Sequence, residues 1–273
     1  MSQVAIEGQY ETDVADLHSR IVAAEDIKDW SKILADSISW GNKKVSDTTA
    51  IVNMNSAHNC PNRETQEEGE SETGICQVSW KMCYARKVEE RYETVRNYRD
   101  RQEYLWDCLD PDTFAKAFLK VVDRKIQYGN LESYSDVDLR FSESGDFRHD
   151  QDVYKVDRIA DILHDAGVSA VYSYSGSYKL DSWFEADNVI LMQSVSREVA
   201  GEYGHKEYNA FPISREQIEE AERITDIAPD GYVWCPHDLE KRQKDIVGEE
   251  AISCGECRLC LDKEGPDVAI PIS

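Results

Sequence analysis

Seven of the eight cysteines fall into two sets: Cys60, Cys76 and Cys83, then Cys235, Cys254, Cys257 and Cys260. Thiolates are the normal ligands of iron–sulfur clusters. Three of them on a loop and a helix start can hold three irons of a 4Fe–4S cube and leave the fourth iron open to a small molecule. A helix beginning near Cys83 would favour the anionic cluster through its N-terminal dipole. A structural zinc site completed by His58 is the alternative, although His58 itself reads as a loop residue supporting the ligands rather than as one of them. The second set is spaced C-x18-C-x2-C-x2-C. Its tandem run is of the ferredoxin type, with Cys235 available for the fourth corner. Four protein thiolates close a site, which suits a structural or electron-transfer role; zinc is the alternative here too. The eighth, Cys108, lies among Leu105, Trp106 and Leu109 and reads as a buried small hydrophobe.

Composition limits what else these thiols could be. A secreted chain would pair an even set of cysteines as disulfides. The start, MSQVAIEGQYETDVADLHSR, has no basic region followed by an apolar run. The expectation is therefore no signal peptide and a cytoplasmic, reducing setting in which clustered cysteines hold metal. No stretch reaches the roughly 18 consecutive apolar residues of a membrane helix. With 31 Lys+Arg against 54 Asp+Glu the net charge is −23. That excludes a surface made throughout for nucleic acid, so a nucleic-acid partner is not favoured, though a local basic groove is left open. Part of the acidity sits in a Glu-rich insert (Glu64, Glu67, Glu68, Glu70, Glu72) between Cys60 and Cys76. The charge reverses in Arg86, Lys87, Arg91, Arg96, Arg99 and Arg101. These read as a solvated helix with Arg86/Glu90 and Arg96/Asp100 pairs at i,i+4, or alternatively as an anion site.

The elements that must position these groups alternate. Ile27, Trp30, Leu34 and Ile38 mark one helix face, and residues 49–55 a strand. One helix is expected from Cys83 to Trp106, with no Gly or Pro inside it, and another from Pro111 to about Ile126. Residues 137–141 alternate as a strand. A helix capped by Asp150 follows, with Val153, Val156, Ile159, Ala160 and Leu163 inward and Gly167 at its end. Strands are expected at 170–174, 188–192 and 231–234, and a helix at 214–224. Strand–helix alternation implies parallel pairing. The fold class expected is α/β, a partial or full β/α barrel with a Cys-rich C-terminal lobe; a doubly wound open sheet is the alternative. Residues 1–48 form an N-terminal helical region, 49–234 the barrel-like core with the three-cysteine loop, and 235–273 the Cys-rich lobe.

The run Asn55-Ser56-Ala57-His58-Asn59-Cys60, then Ile75-Cys76-Gln77, then the ten residues from Cys83, then Glu143-Ser144-Gly145-Asp146-Phe147 and the terminal cysteines together resemble the phage gene product 88 domain family. The likeness extends from about residue 51 to residue 260. The three-cysteine set and the barrel-like pattern are also distantly similar to radical S-adenosylmethionine enzymes, whose cysteines are spaced C-x3-C-x2-C; here the steps are sixteen and seven residues. That resemblance implies that Glu143, Ser144, Gly145 and Asp146 form the turn receiving the amino group of S-adenosylmethionine. On the residues alone, a glycine lets the backbone approach closely and a carboxylate accepts an ammonium, or the four make an ordinary strand-to-helix turn. Ser173, Tyr174, Ser175, Gln193 and Ser194 read as strand ends.

The function expected is an iron–sulfur protein with one or two 4Fe–4S clusters, a radical S-adenosylmethionine-like enzyme with an electron donor and an unidentified substrate. The alternatives are a non-catalytic zinc or iron–sulfur metalloprotein that binds protein or nucleic acid, and a redox protein that only passes electrons. No nucleophile elbow, phosphate loop or HExxH motif competes. His149, His164, His205 and His237 are scattered and read as structural or solvated.

Overall fold

The computed structural model describes residues 14–42, 45–62, 83–177, 180–184, 186–193, 206–212, 231–236, 252, 254–262 and 264–272. The chain is a mixed α/β protein built on a mostly parallel sheet. Its strands are β1 (Ser39–Trp40), β2 (Thr49–Val52), β3 (Asp138–Phe141), β4 (Ala170–Ser175), β5 (Ile190–Gln193), β6 (Lys206–Pro212), β7 (Tyr232–Trp234) and β8 (Asp267–Ile272). They lie in the order β1-β2-β3-β4-β5-β6-β8-β7. Every neighbouring pair from β2 onward is parallel and only β1 joins antiparallel. Among the described residues β1 and β7 remain the two edges, so no strand pair closes a ring.

The register sorts side chains onto two faces, because successive residues of a strand point oppositely. Thr49, Asp138 and Ala170 stand in one row, and Ile51, Arg140, Tyr172 and Ile190 in the next on the same face. Ala50, Leu139 and Val171 alternate to the other face. That second face is continuous with the main core. Its cover is α1 (Ile27–Ala35), α3 (Glu93–Cys108), α4 (Pro111–Gln127) and α5 (Asp150–Asp165), which bury Leu34, Trp106, Phe118 and Ile159 against it. Asp110 caps α4 by accepting from Thr113 N at 2.9 Å, and Pro111 takes the first helical position, where no N–H is needed. Among the described residues the first face has no helical cover of this kind. There Ala170, Tyr172, Ile190 and Met192 pack with Tyr174, Cys260 and Leu261.

Three local expectations are corrected. The helix expected from Cys83 to Trp106 is broken at Tyr92 into α2 (Tyr84–Arg91) and α3. Ten residues along an unbroken helix stand about 15 Å apart, yet Arg99 Nη1 lies 2.8 Å from Glu89 Oε1, and only a bend permits that contact. The cap of α5 is His149, whose Nδ1 accepts from Asp152 N, because Asp150 turns instead to Ser182 N at 2.9 Å. Cys108 is exposed rather than buried. It ends α3 on the outer side, while Leu105, Trp106 and Leu109 take the inward positions. The helix expected at 214–224 lies outside the described residues. No helix among them is long and apolar enough to cross a membrane.

Candidate metal centres

The first four parallel strands deliver polar loops to one end of the sheet, their carboxyl end, where α/β folds place ligands. These loops are interlocked. Asn53 Oδ1 accepts from Ser144 N at 2.7 Å, and Asn55 accepts from Asp146 N at 2.9 Å and donates to Asp146 O at 2.6 Å. Gly145 sits between them at φ +75°, and a Cβ there would lie 1.6 Å from Asn55 Oδ1. Asp146 is buried and accepts from Asn62 Nδ2, Phe147 N, Ser175 Oγ and Gly176 N at 2.6–2.9 Å, two donors to each oxygen. Burial pushes its carboxyl upward against the pull of those donors. The three N–H donors among them favour the ionised form and oppose that push.

Of the four residues expected to receive an amino group, Asp146 therefore has its acceptor positions filled, and Ser144 is engaged at both N–H and hydroxyl, the latter on Glu89. Gly145 is the point of closest approach. Glu143 is different. Its carboxylate is partly exposed, accepts from Asn42 Nδ2 at 2.8 Å and lies 3.8 Å from Arg99. It keeps lone pairs toward solvent.

Cys60 and Cys83 belong to the same end. Cys60 follows the short turn Ala57–Asn59, and Cys83 is the N-cap of α2. Glu89 joins the two segments. Its Oε1 accepts from Ala57 N, Arg99 Nη1 and Ser144 Oγ at 2.8–3.0 Å, and its Oε2 meets His58 Nδ1 at 2.8 Å. Burial would raise its pKa, but these partners outweigh it and hold the carboxyl below the ordinary range. His58 is thus tied to Glu89, as a supporting residue would be. Cys76 lies outside the described residues. Sequence reading missed Glu89, Asn53, Asn55, Asn62 and Arg99 as organisers; the available signal was the density of Asn residues (Asn53, Asn55, Asn59, Asn62) after β2.

The second set converges on the first face of the sheet, beside Ala170, Tyr172, Ile190 and Met192. Cys235, Cys254, Cys257 and Cys260 all line one open-mouthed pocket, with Asp138, Tyr172, Tyr174 and Arg258. Cys235 follows β7 and is pinned by its N–H to Ala269 O at 2.8 Å. The other three lie on the short helix Cys254–Cys257 and the turn Leu259–Leu261. Arg258, between them, takes a left-handed backbone at φ 49°. Its guanidinium grips Asp138 at the amino end of β3 in a two-pronged pair (2.9 and 3.1 Å) and Ser169 Oγ at 2.8 Å. Tyr172 closes one wall; burial pushes its phenol up, opposed by Arg140 and reinforced by Asp138, Cys254 and Cys260. Among the described residues no three His, Cys, Asp or Glu side chains converge closely enough to hold one ion. A tetrahedral zinc with ~2.3 Å bonds needs sulfurs about 3.8 Å apart. A four-iron cube takes one thiolate at each corner and suits ligands spread around a larger space.

The family model for gene product 88 matches residues 27–263, most of the chain. This chain belongs to the gene product 88 family. No curated protein and no solved structure matches it. The matched span of this gene product 88 chain runs from the start of α1 past the last cysteine, so it contains both cysteine sets and the interlocked loops.

The Arg258–Asp138 grip makes a prediction for this member of the family. Asp138→Asn keeps the shape of the side chain but removes the charge that holds Arg258. The variant is expected to react several-fold faster with a thiol reagent at Cys254, Cys257 and Cys260 than the parent while its core unfolds at a similar denaturant concentration. Equal labelling rates would show that the grip does not secure the pocket.

Proposed function

We propose that this gene product 88 chain is an iron–sulfur protein, with a closed 4Fe–4S cluster on Cys235, Cys254, Cys257 and Cys260 and a second, open cluster on Cys60, Cys76 and Cys83. The observation that carries the reading is the single pocket that gathers all four C-terminal cysteines. Their tandem spacing favours a cube over one zinc ion. We take the curved run of parallel strands as a partial β/α barrel, with the open cluster at its carboxyl end and the closed one on the first face of the sheet. An open-iron cluster, when bound, supplies one-electron reduction of S-adenosylmethionine. The activity proposed is accordingly that of a radical S-adenosylmethionine-like enzyme acting on an unidentified substrate, fed by an electron donor, in the cytoplasm.

The protein's own part is positioning. Cys83 is the N-cap of α2, so the positive end of that helix's dipole lies at this cysteine and favours negative charge there. Glu143 keeps free acceptor positions for an ammonium. Ser144, Gly145 and Asp146 hold the turn that presents it.

The test is purification without oxygen, followed by iron, sulfide and zinc analysis and a visible spectrum. A cluster at each site predicts about eight irons and eight sulfides per chain. Replacing Cys254 and Cys257 by serine should remove about half, and replacing Cys60 and Cys83 the other half. Dithionite with S-adenosylmethionine should then release 5′-deoxyadenosine from the parent and from the Cys254/Cys257 variant, but not from the Cys60/Cys83 variant. Zinc at both sites without iron would overturn the reading in favour of a structural metalloprotein. Iron without 5′-deoxyadenosine would leave electron transfer alone.

A further inference from the structure

A second feature of the sheet is independent of the cysteines. Arg140 lies on β3, in the row with Ile51 and Tyr172, on the face that the four core helices leave uncovered. Its guanidinium stacks over the Tyr174 ring at 5.1 Å. It forms no hydrogen bond or ion pair with any described residue, and its Nε is enclosed without a partner. Burial works against the charge and the nearby Glu143 favours it; a guanidinium stays cationic in a protein. The Glu143 carboxylate is itself shared between Asn42 and Arg99. Two residues on, at the end of the same strand, Ser142 is buried, its Oγ also has no partner, and its backbone sits at φ 56°, a conformation a serine rarely adopts. Enclosed donors without acceptors cost free energy in the empty protein, and strained backbone persists where surroundings enforce it, commonly at ligand sites.

We propose that Arg140 and Ser142 form a binding site for the oxyanion group of a small molecule, a carboxylate or a phosphate, seated on the uncovered face at the carboxyl end of β3. The guanidinium fork matches either group with two parallel N–H bonds. The Ser142 hydroxyl supplies a third donor, and the Tyr174 ring holds the guanidinium plane. Tyr84, exposed and bonded through its hydroxyl to the Glu143 carbonyl, stands at the rim. Tyr172 and Tyr174 also line the four-cysteine pocket, so one surface runs from that pocket to Arg140. In a chain of net charge −23, a buried guanidinium with no hydrogen-bonded carboxylate among the described residues favours anionic ligands over cationic ones.

Titration with inorganic phosphate and, separately, with acetate at constant ionic strength tests the site, read by calorimetry and by tyrosine fluorescence. Saturable binding of at least one is expected, and whichever binds tighter identifies the oxyanion class. Arg140→Gln should weaken it by about 10- to 100-fold, Ser142→Ala by several-fold, and Arg91→Gln, which alters a surface arginine over Tyr92, not at all. If Arg140→Gln does not fold, Ser142→Ala against the parent decides. No saturable binding of either anion, or equal affinities in parent and Ser142→Ala, would overturn the proposal. Neither outcome depends on metal content, so the test stands apart from the iron–sulfur reading.

Discussion

Gly145→Ala is expected to cost about 4 kcal/mol or more, at the extreme of what single substitutions do. A Cβ at this position would sit 1.6 Å from Asn55 Oδ1 and 2.5 Å from Asn55 O. The second contact is with backbone and cannot rotate away. Asn55 cannot yield either, because it holds Asp146 N and Asp146 O together. Gly167→Ala provides the comparison. It too sits at positive φ, +90°, but nothing lies within 4 Å of its Cβ position. It should lose only the left-handed backbone penalty, about 1–2 kcal/mol. The difference between the two denaturation free energies isolates the steric term. If the two variants are equally destabilised, the close approach of the loops after β2 and β3 is not real. A folded residue of the Gly145→Ala protein should also have the Cys60 segment displaced, because that segment follows directly from the Asn55 loop.

Glu89→Gln is expected to cost about 3–5 kcal/mol at pH 7, the range for removing one partner of a buried ion pair. Glu89 is fully enclosed, and Arg99 is 6 % exposed. The amide leaves Arg99 charged with only Glu143, at 3.8 Å, nearby. It also turns a donor toward His58 or toward Ala57 N, one of which already donates. The pH dependence has a definite sign. The Glu89 pKa is lowered by folding, so its contribution is present above the unfolded glutamate value and is lost as pH falls through its depressed folded value. The gap between parent and variant should therefore narrow as pH drops below about 4.5, the ordinary value for glutamate. Asp100, Glu103 and Asp146 are shifted upward, chiefly by burial, and tilt the parent curve the other way. Glu103 and Asp146 are common to both proteins and cancel in the difference, whereas the part of the Asp100 shift that comes from the Glu89 charge is lost in the variant. Denaturant midpoints at pH 7, 5, 4 and 3 check this; a gap that stays constant with pH would show that Glu89 is not held ionised by these partners.

Much of the α/β pattern was legible because the signals were local. Val153, Val156, Ile159, Ala160 and Leu163 all turn inward on α5, and Pro111 opens α4. The strands at 137–141 and 170–174 differ from β3 and β4 by a residue at each end at most. Arg86/Glu90 and Arg96/Asp100 pair as i,i+4 spacing requires. Non-local effects were not legible. Nothing between Cys83 and Trp106 forbids a continuous helix; the break at Tyr92 exists because Glu89 and Arg99 meet. Cys108 has apolar sequence neighbours, but a helix end can leave one residue outward while those beside it turn inward.

The sequence by itself determined which residues could do chemistry and what kind. It holds two groups of thiols, a tandem C-x2-C-x2-C run and a Ser-Gly-Asp turn after a strand, in a chain too acidic to be a general nucleic-acid binder. Spacing along the chain cannot say which end of a sheet a loop reaches, or how many lone pairs of a carboxylate are already used. Only the tertiary structure decided that Cys60 and Cys83 stand at the carboxyl end while Cys235, Cys254, Cys257 and Cys260 share a pocket on one face of the sheet. It also decided that Asp146 is spent on four protein donors while Arg140 and Ser142 keep theirs. The physical reason is that parallel pairing makes strand neighbours of segments tens of residues apart. Partners for buried polar groups are then set by register across the sheet, which no local pattern records.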